Sequence, residues 1–265
     1  MFWSTRKTDL SFQYENVSIH PSAEVGSDVE IGPFTVIGPN CRIGDGCHVH
    51  NNVTLVANTV LGDRTEVFPG AVIGAVPQDK KYSGEDCWVI IGDDNTIREC
   101  VTIHGGTDLG GKITRIGNRN LLMAGCHVAH DCVIENDTII ANNVLLGGHC
   151  QVESYANLGG QAAVHHFVTV GRHAFVAGTA RVNTDVPPFM LWQGDTVRTI
   201  NKVGLRRRGF TQKQIMALRG AFKRLYREGL PRNVAIEQIR EDSSGVGEID
   251  QLLRSLERTQ RGRQG

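Results

Sequence analysis

Aliphatic residues recur every six positions along most of this chain, and nothing else in it restricts the fold so sharply. The series runs through Ile19, Val25, Ile31, Ile37 and Ile43 to Ile73. It resumes at Ile91, Ile97 and Ile103, and again from Ile116 to Val182. An amphipathic helix needs spacings of three and four, and a hairpin meander does not hold a rigid six. Two residues before most of these aliphatics stands something small, such as Thr35, Cys41, Ala71, Cys126, Ala156 or Ala174. Within a strand side chains alternate, so both members of such a pair point inward. Asn and Asp crowd the corners (Asn51, Asn52, Asn142, Asn143), where left-handed backbone is cheap for those residue types. Three hexads then make one coil of a triangular prism, and residues 18 apart stack. Each coil rises by about one inter-strand spacing, ~4.8 Å. A single coil cannot close a core, whereas stacked coils can. The period therefore predicts an all-β parallel β-helix.

Two stretches break the series, residues 74–90 and 104–115. Ile73 and Ile91 are 18 residues apart, which predicts that the first break takes up one whole coil in register, as a loop pushed out of the prism. Loops projecting from a rigid scaffold commonly carry binding residues. The period ends at Asp185-Val186-Pro187-Pro188, because proline cannot donate to a strand ladder. Beyond Trp192-Gln193-Gly194-Asp195 the spacing becomes helical. Thr211-Gln212-Lys213-Gln214 reads as a capping box, Gly229-Leu230-Pro231 as a helix stop, and two further helices are expected near 232–241 and 246–260. The expected organisation is a β-helix catalytic domain over 1–195, with an N-terminal extension at 1–16, and an α-helical domain over 196–265.

Charge is balanced overall, 28 basic against 28 acidic residues, which gives no ground for a nucleic-acid partner. The balance is uneven, however: residues 196–265 hold 16 basic against 7 acidic side chains, so the tail is expected to meet something acidic. No apolar run of about 18 residues predicts a membrane span. Arg6 and Lys7 are followed by no apolar core, so no secretory signal is expected, and Phe2, Trp3, Phe12 and Tyr14 could equally pack or stay disordered. Cys41, Cys47, Cys126, Cys132 and Cys150 all fall on the recurring small position. They read as buried structural thiols of a protein in a reducing cytoplasm.

The histidines carry the chemistry. By the 18-residue rule His130 stacks under Gly148 and then His166, and Asp131 under His149, with His127 and His165 close by. Packing does not call for several imidazoles and a carboxylate on one edge. The rule brings no charged or histidine neighbour to His20, His48, His50 or His173, which are expected to be corner or surface residues. Two chemistries could use the histidine edge: a zinc hydratase, or an unmetallated base whose imidazole is oriented by a carboxylate. The chain has no His-x4-His ligand pair. A purely structural β-helix is a third reading, opposed by the two breaks and the basic tail.

Several stretches depart from the bare hexad rule: Leu121-Leu122-Met123, His127-Val128-Ala129-His130-Asp131-Cys132, Gly147-Gly148-His149, Ala163-Val164-His165, Asp185-Val186-Pro187-Pro188 and Gly204-Leu205-Arg206-Arg207-Arg208-Gly209-Phe210. In this order they resemble the acyl-ACP:UDP-N-acetylglucosamine O-acyltransferases, the family that opens lipid A synthesis. The resemblance implies a left-handed helix, a homotrimer, an acidic acyl carrier protein as acyl donor, and neither cofactor nor metal. It further implies His130 as general base, Asp131 as the group orienting it, and the Gly148 N–H as oxyanion donor. Asp79 and Lys81 would contact sugar and phosphate, with Gln78 beside them, and His127, His149, His165 and His166 would make further substrate contacts. Asn201 and Arg207 would contact nucleotide and phosphate, and Gly178 would stand at the position that closes the acyl tunnel, where a glycine leaves room for a longer chain. The chain departs from the family pattern at His166, where the family has glutamine, at Pro77, Lys80 and Thr196, and by two residues missing before Gly204. The residues do not distinguish a 3-hydroxyl from a 3-amino sugar acceptor. If position 178 sets the tunnel length, Gly178→Met should shorten the preferred acyl donor, as read from a panel of acyl carrier protein thioesters of graded length.

Overall fold

A computed structural model of the protein describes residues 16–242 and 245–261. Residues 1–15, and with them Phe2, Trp3, Phe12 and Tyr14, lie outside the described residues.

The chain winds into a three-sided prism of short strands, mostly two residues long. Its first face has nine strands, from Ser18–Ile19 to Arg181–Val182. The second has eight, from Glu24–Val25 to Thr169–Val170, and the third has ten, from Glu30–Ile31 to Thr196–Ile200. Apart from the final pair of the third face, neighbouring strands within a face are parallel, with the 18-residue register seen in His127↔Leu145 and Leu145↔Ala163. The hexad aliphatics fill the interior: Leu55, Ile73, Ile97, Leu122, Ile140 and Leu158 are fully buried. Ile19 and Val25 are not, at 39% and 37% exposed, because the first coil has no coil beneath it. Five cysteines pack inward as free thiols, and burial pushes Cys126 up to about 12, which keeps it an inert apolar group.

Most corners put a residue in the left-handed region. Many are Asn or Asp, as expected, but Phe34, Arg64, Tyr155 and Phe167 also stand there. Stacking compensates their strain, since the N–H of such a residue donates to a carbonyl of the coil below, as in His149 to His130 and Phe167 to Gly148. Between the second and third faces the corner carries a further ladder. There the Asp63, Asp93, Asn118 and Asn136 side chains each accept from the backbone N–H of the equivalent residue one coil down.

The first interruption is not a coil in register. The strand at Val72–Ala75 lies on the first face, under Thr102–His104, whereas Trp88–Ile91 lies on the second, over Thr59–Leu61. Ile73 and Ile91 thus sit on successive faces instead of stacking. The insert is two hexads long, which preserves the inward phase and hides the change of face. The second interruption, between Thr102–His104 and Ile113–Ile116, leaves from the same corner one coil higher. Both loops therefore project from the corner that joins the first and second faces.

The prism ends in an antiparallel hairpin, Met190–Gln193 with Thr196–Ile200, whose turn carries Gly194 at φ 67. The division expected at 195/196 falls inside this hairpin. Four helices follow: α1 (Lys202–Arg207), α2 (Gln212–Tyr226), α3 (Arg232–Asp242) and α4 (Gly247–Arg261). The Thr211–Gln214 capping box opens α2, and Ile215, Leu218 and Phe222 form its buried face. The helical unit docks on His173, a buried corner residue whose ring packs against Tyr155, Phe189 and Phe210. No helix among the described residues is long and apolar enough to cross a membrane.

Two buried histidines, His104 and His173, are held down to about 4. Burial is the main cause in both. Neighbouring imidazoles add to it at His104, and Arg172 and Arg208 at His173. Between about pH 6.5 and 4 the unfolded chain binds protons there that the folded chain refuses, so stability falls as pH falls through that window. Each site should contribute about 3 kcal/mol, read as a drop in the thermal midpoint that levels off below about pH 4 and is smaller in His173→Phe.

Candidate active site

His130 and Asp131 occupy the corner between the first and second faces, one coil above the second loop. The coil is uninterrupted here, so the corner is tight and Asp131 takes the left-handed conformation, φ 61. That turns its side chain back into the protein, where it is 1% exposed. The second loop closes over it. Thr107 donates from its N–H to Asp131 Oδ1 at 2.7 Å and from its hydroxyl to Oδ2 at 2.6 Å. The Asp131 N–H donates to Thr114 Oγ1 at 2.9 Å. A Cβ on Gly110 would fall 2.0 Å from Asp131 Oδ1, so only glycine lets the loop come this near.

His130 Nδ1 lies 2.8 Å from Asp131 Oδ2. An ionised carboxylate only accepts, so Nδ1 carries the proton and Nε2 keeps its lone pair. The imidazole covers Gly148 of the next coil: a Cβ there would stand 2.5 Å from His130 Cε1 and 2.6 Å from Nε2. Any side chain at 148 would displace the ring. At the corner joining the second and third faces, the N–H of the equivalent residue is taken by an Asp or Asn of the coil above. Above Gly148 stands His166, and among the described residues no group accepts from the Gly148 N–H. The corner thus offers a lone pair beside a free backbone donor.

Several imidazoles surround this pair. His149 stands over Asp131, its Nε2 3.5 Å from Asp131 Oδ2, with its ring stacked on Phe167 at 4.4 Å. Burial lowers its pKa, and the charge of Asp131 opposes the shift. His127 Nδ1 shares a 2.8 Å hydrogen bond with Thr102 Oγ1. Burial first, and His130 second, lower the His127 pKa, so this imidazole is neutral. His165 and His166 are exposed, with ring centroids 3.8 Å apart. A cavity of about 510 Å³ on the first face joins His127, His130, Gly148, His165 and His166 to Gln78 of the first loop, over an apolar floor that includes Leu145 and Val164. This is the size of a small-molecule site.

The remaining expected residues divide. Asp79 is half-buried, accepts from the Lys81 N–H, and lies near enough to His149 to support its protonated form. Lys81 is exposed and lines neither this cavity nor the second one. Gly178 is exposed at the corner joining the third and first faces, three residues before Arg181 at the far end of the cavity, and is not among its lining residues. Asn201 and Arg207 lie on another face altogether. They border a second cavity of about 580 Å³ on the third face, with Tyr155, His173 and Arg208. The Asn201 side chain is also occupied structurally: it accepts from Gly204 N–H as the cap of α1 and donates to the His173 carbonyl.

The hexad rule missed Thr107 and His104, because both belong to the segment where the second insertion begins. It missed Thr102 because the insertion stretches its distance from His127 to 25 residues. Phe167 was legible, standing 18 residues beyond His149. The expectation for His48 and His50 fails outright: His48 lies between Glu30 and Glu66, and His50 Nε2 is 3.0 Å from Glu66 Oε1. His130, Asp131 and His149 have ligand atoms close enough for a metal ion. The Asp131 oxygens, however, are already taken by Thr107 and His130, which suits an oriented base better than a ligand set.

Comparison with known proteins agrees with this geometry. A family model described as UDP N-acetylglucosamine O-acyltransferase, domain 2, matches residues 185–263, and the six-repeat bacterial transferase hexapeptide model matches 113–148. A model described as the GMPPB C-terminal domain matches 13–112. An acyl-[acyl-carrier-protein]–UDP-N-acetylglucosamine O-acyltransferase of Synechocystis is 49% identical over 189 residues, 71% of this chain and 68% of that one. Its counterpart from Myxococcus xanthus is 43% identical over 206 residues, 77% of this chain and 80% of that one. The crystal structure of a UDP-N-acetylglucosamine acyltransferase from Bacteroides fragilis superposes with a TM-score of 0.91 at 36% identity, covering 93% of this chain and 97% of that one. The corresponding Arabidopsis structure gives 0.84 at 32% identity, covering 95% and 98%. The winding is accordingly that of a left-handed parallel β-helix. Nothing in these relatives supports a hydratase.

The Thr107 clamp makes a stability prediction that stands apart from activity. Thr107→Val removes the hydroxyl from a buried carboxylate oxygen and should cost about 1–3 kcal/mol in denaturant unfolding. Thr107→Ser, which keeps the donor, should cost clearly less.

Proposed function

The chain belongs to the acyl-ACP–UDP-N-acetylglucosamine O-acyltransferase family, and we propose that His130 is the general base of its transfer reaction. As an enzyme of this family it moves an acyl chain from acyl carrier protein to UDP-N-acetylglucosamine, the opening step of lipid A synthesis. The proposed acceptor atom is the 3-hydroxyl of the glucosamine ring, and the proposed donor a 3-hydroxyacyl thioester.

One observation carries the assignment: the buried Asp131 carboxylate accepts from His130 Nδ1 and so leaves Nε2 as the basic nitrogen at the cavity. The sugar hydroxyl gives its proton to Nε2 as its oxygen bonds to the thioester carbonyl carbon. The carbonyl oxygen becomes an oxyanion, for which the Gly148 N–H is the available donor. Collapse breaks the carbon–sulfur bond, and the imidazolium returns the proton to the leaving thiolate. General-base assistance is worth about 10²–10⁴-fold and one oxyanion donor about 10²–10³-fold. His127, neutral through burial, can hydrogen-bond the sugar without a charge clash, and Gln78, Asp79, His149, His165 and His166 complete the proposed acceptor subsite. Lys81, which stands outside the cavity, is proposed to reach the diphosphate from the first loop. The apolar floor past Leu145 suits the acyl chain, with Gly178 beyond its far end.

The functional unit in this proposal is a homotrimer. Its support is the division of expected nucleotide contacts between two faces of one chain. Arg207 and Arg208 would serve the neighbouring protomer's cavity, while Asn201 acts by holding α1 in place. The basic tail suits an acidic acyl carrier protein. The unbridged thiols suit a cytoplasmic setting.

Turnover of purified variants tests the assignment. His130→Ala should keep its thermal midpoint within a few degrees and lose about 10²–10⁴-fold in kcat. Gly148→Ala, whose methyl displaces the imidazole, should fall comparably. Near-normal kcat in His130→Ala would remove the proposed base.

A further inference from the structure

We propose that His48, His50 and Glu66 form a zinc-type divalent metal site on the third face, separate from the acyl-transfer corner. His48 and Glu66 are in register on adjacent strands, one coil apart. His50 follows two residues later, and its ring stacks on that of His48 at 4.0 Å. Glu66 Oε1 stands 3.0 Å from His50 Nε2 and 3.9 Å from His48 Nδ1, and the candidate ligand atoms all lie within 4.8 Å of one another. Two imidazole nitrogens and a carboxylate oxygen are a common zinc donor set. Zinc bonds of about 2.0–2.2 Å put tetrahedral ligand atoms roughly 3.3 Å apart, so small side-chain rotations would gather these three around an ion.

A second, independent feature points to a ligand. Glu30, one coil below, lies 3.7 Å from His48 Nε2, the nitrogen on the other side of the ring from Nδ1. A carboxylate behind a ligating imidazole fixes its tautomer and raises its basicity, as is usual around bound zinc. His50 is fixed likewise: Phe68 stacks against it at 4.5 Å, and Arg98 covers the Phe68 ring. A plain ion-pair ladder of Glu30, His48 and Glu66 would need one histidine. It does not account for a second imidazole stacked on the first and aimed at the same Glu66 oxygen, since two stacked imidazoles cannot both be protonated cheaply. The three residues are part-exposed in the single chain, which leaves a fourth coordination position for water or another ligand. About three and a half coils separate His48 from His130, a rise of about 17 Å along the prism.

The test is a zinc titration of the untagged, chelator-stripped full-length protein by calorimetry, with cobalt as a spectroscopic probe of tetrahedral coordination. The expected result is one zinc per chain, weakened about tenfold or more in His48→Asn and in Glu66→Gln, with circular dichroism and acyl transfer retained in both. Binding in His130→Ala should match the unsubstituted protein. Glu30→Gln should weaken zinc less than Glu66→Gln. No zinc uptake, or uptake that survives His48→Asn and disappears in His130→Ala, would overturn the proposal.

Discussion

Each coil of this protein is held by hydrogen bonds to the coil above and the coil below, and everything else depends on that stacking. With a two-residue strand on each side, no coil has enough internal pairing to stand alone. Backbone groups are satisfied one lap away, as when His149 N–H donates to the His130 carbonyl. The lap length is therefore a rigid ruler, and side chains far apart in sequence are set above one another to within a hydrogen bond. The same requirement explains the corners. Left-handed backbone at Phe167 or Tyr155 would be costly in isolation, but an inter-coil hydrogen bond and a stacked ring offset the strain.

The two insertions leave the prism at one corner on successive coils, and the next coil at that corner holds His130 and Asp131. The scaffold supplies the position, and the loops supply burial. Without Thr107 and the close approach at Gly110, Asp131 would be a solvated corner aspartate like many others in the chain. With them it is a buried acceptor whose remaining capacity is directed at one imidazole nitrogen. The open N–H of Gly148 follows from the same economy of side chains. A ladder of Asp and Asn side chains fills the equivalent position at the next corner and is missing here, where His166 stands above Gly148.

A prism also divides its surface. The cavity at His130 lies on the first face, and the basic cavity with Arg207 and Arg208 lies on the third. The two cavities share no lining residue. That separation, together with the exposed Leu145 on the first face, favours an assembly in which faces of neighbouring protomers meet. Asn201 borders the second cavity, yet its own hydrogen bonds go to α1 and to His173.

How much of this was legible follows from what a period can encode. Six-residue spacing determined the strands, the inward set, the buried cysteines, and the alignment of His130 with Gly148 and of Asp131 with His149, because stacking converts sequence distance directly into space. It also pairs His48 with Glu66, 18 residues on. The motifs from Leu121 to Phe210 determined the family, since they specify residues that stacking alone does not require. Only the tertiary structure decided the rest. Twelve inserted residues keep the hexad phase while moving the chain to a different face, so Ile91 looked like the partner of Ile73 and is not. The Thr107 clamp, the Thr102–His127 bond and the docking of the helices on His173 join segments whose separations follow no period. An insertion erases the ruler that makes the remainder of the chain readable, and loops find their contacts by packing alone.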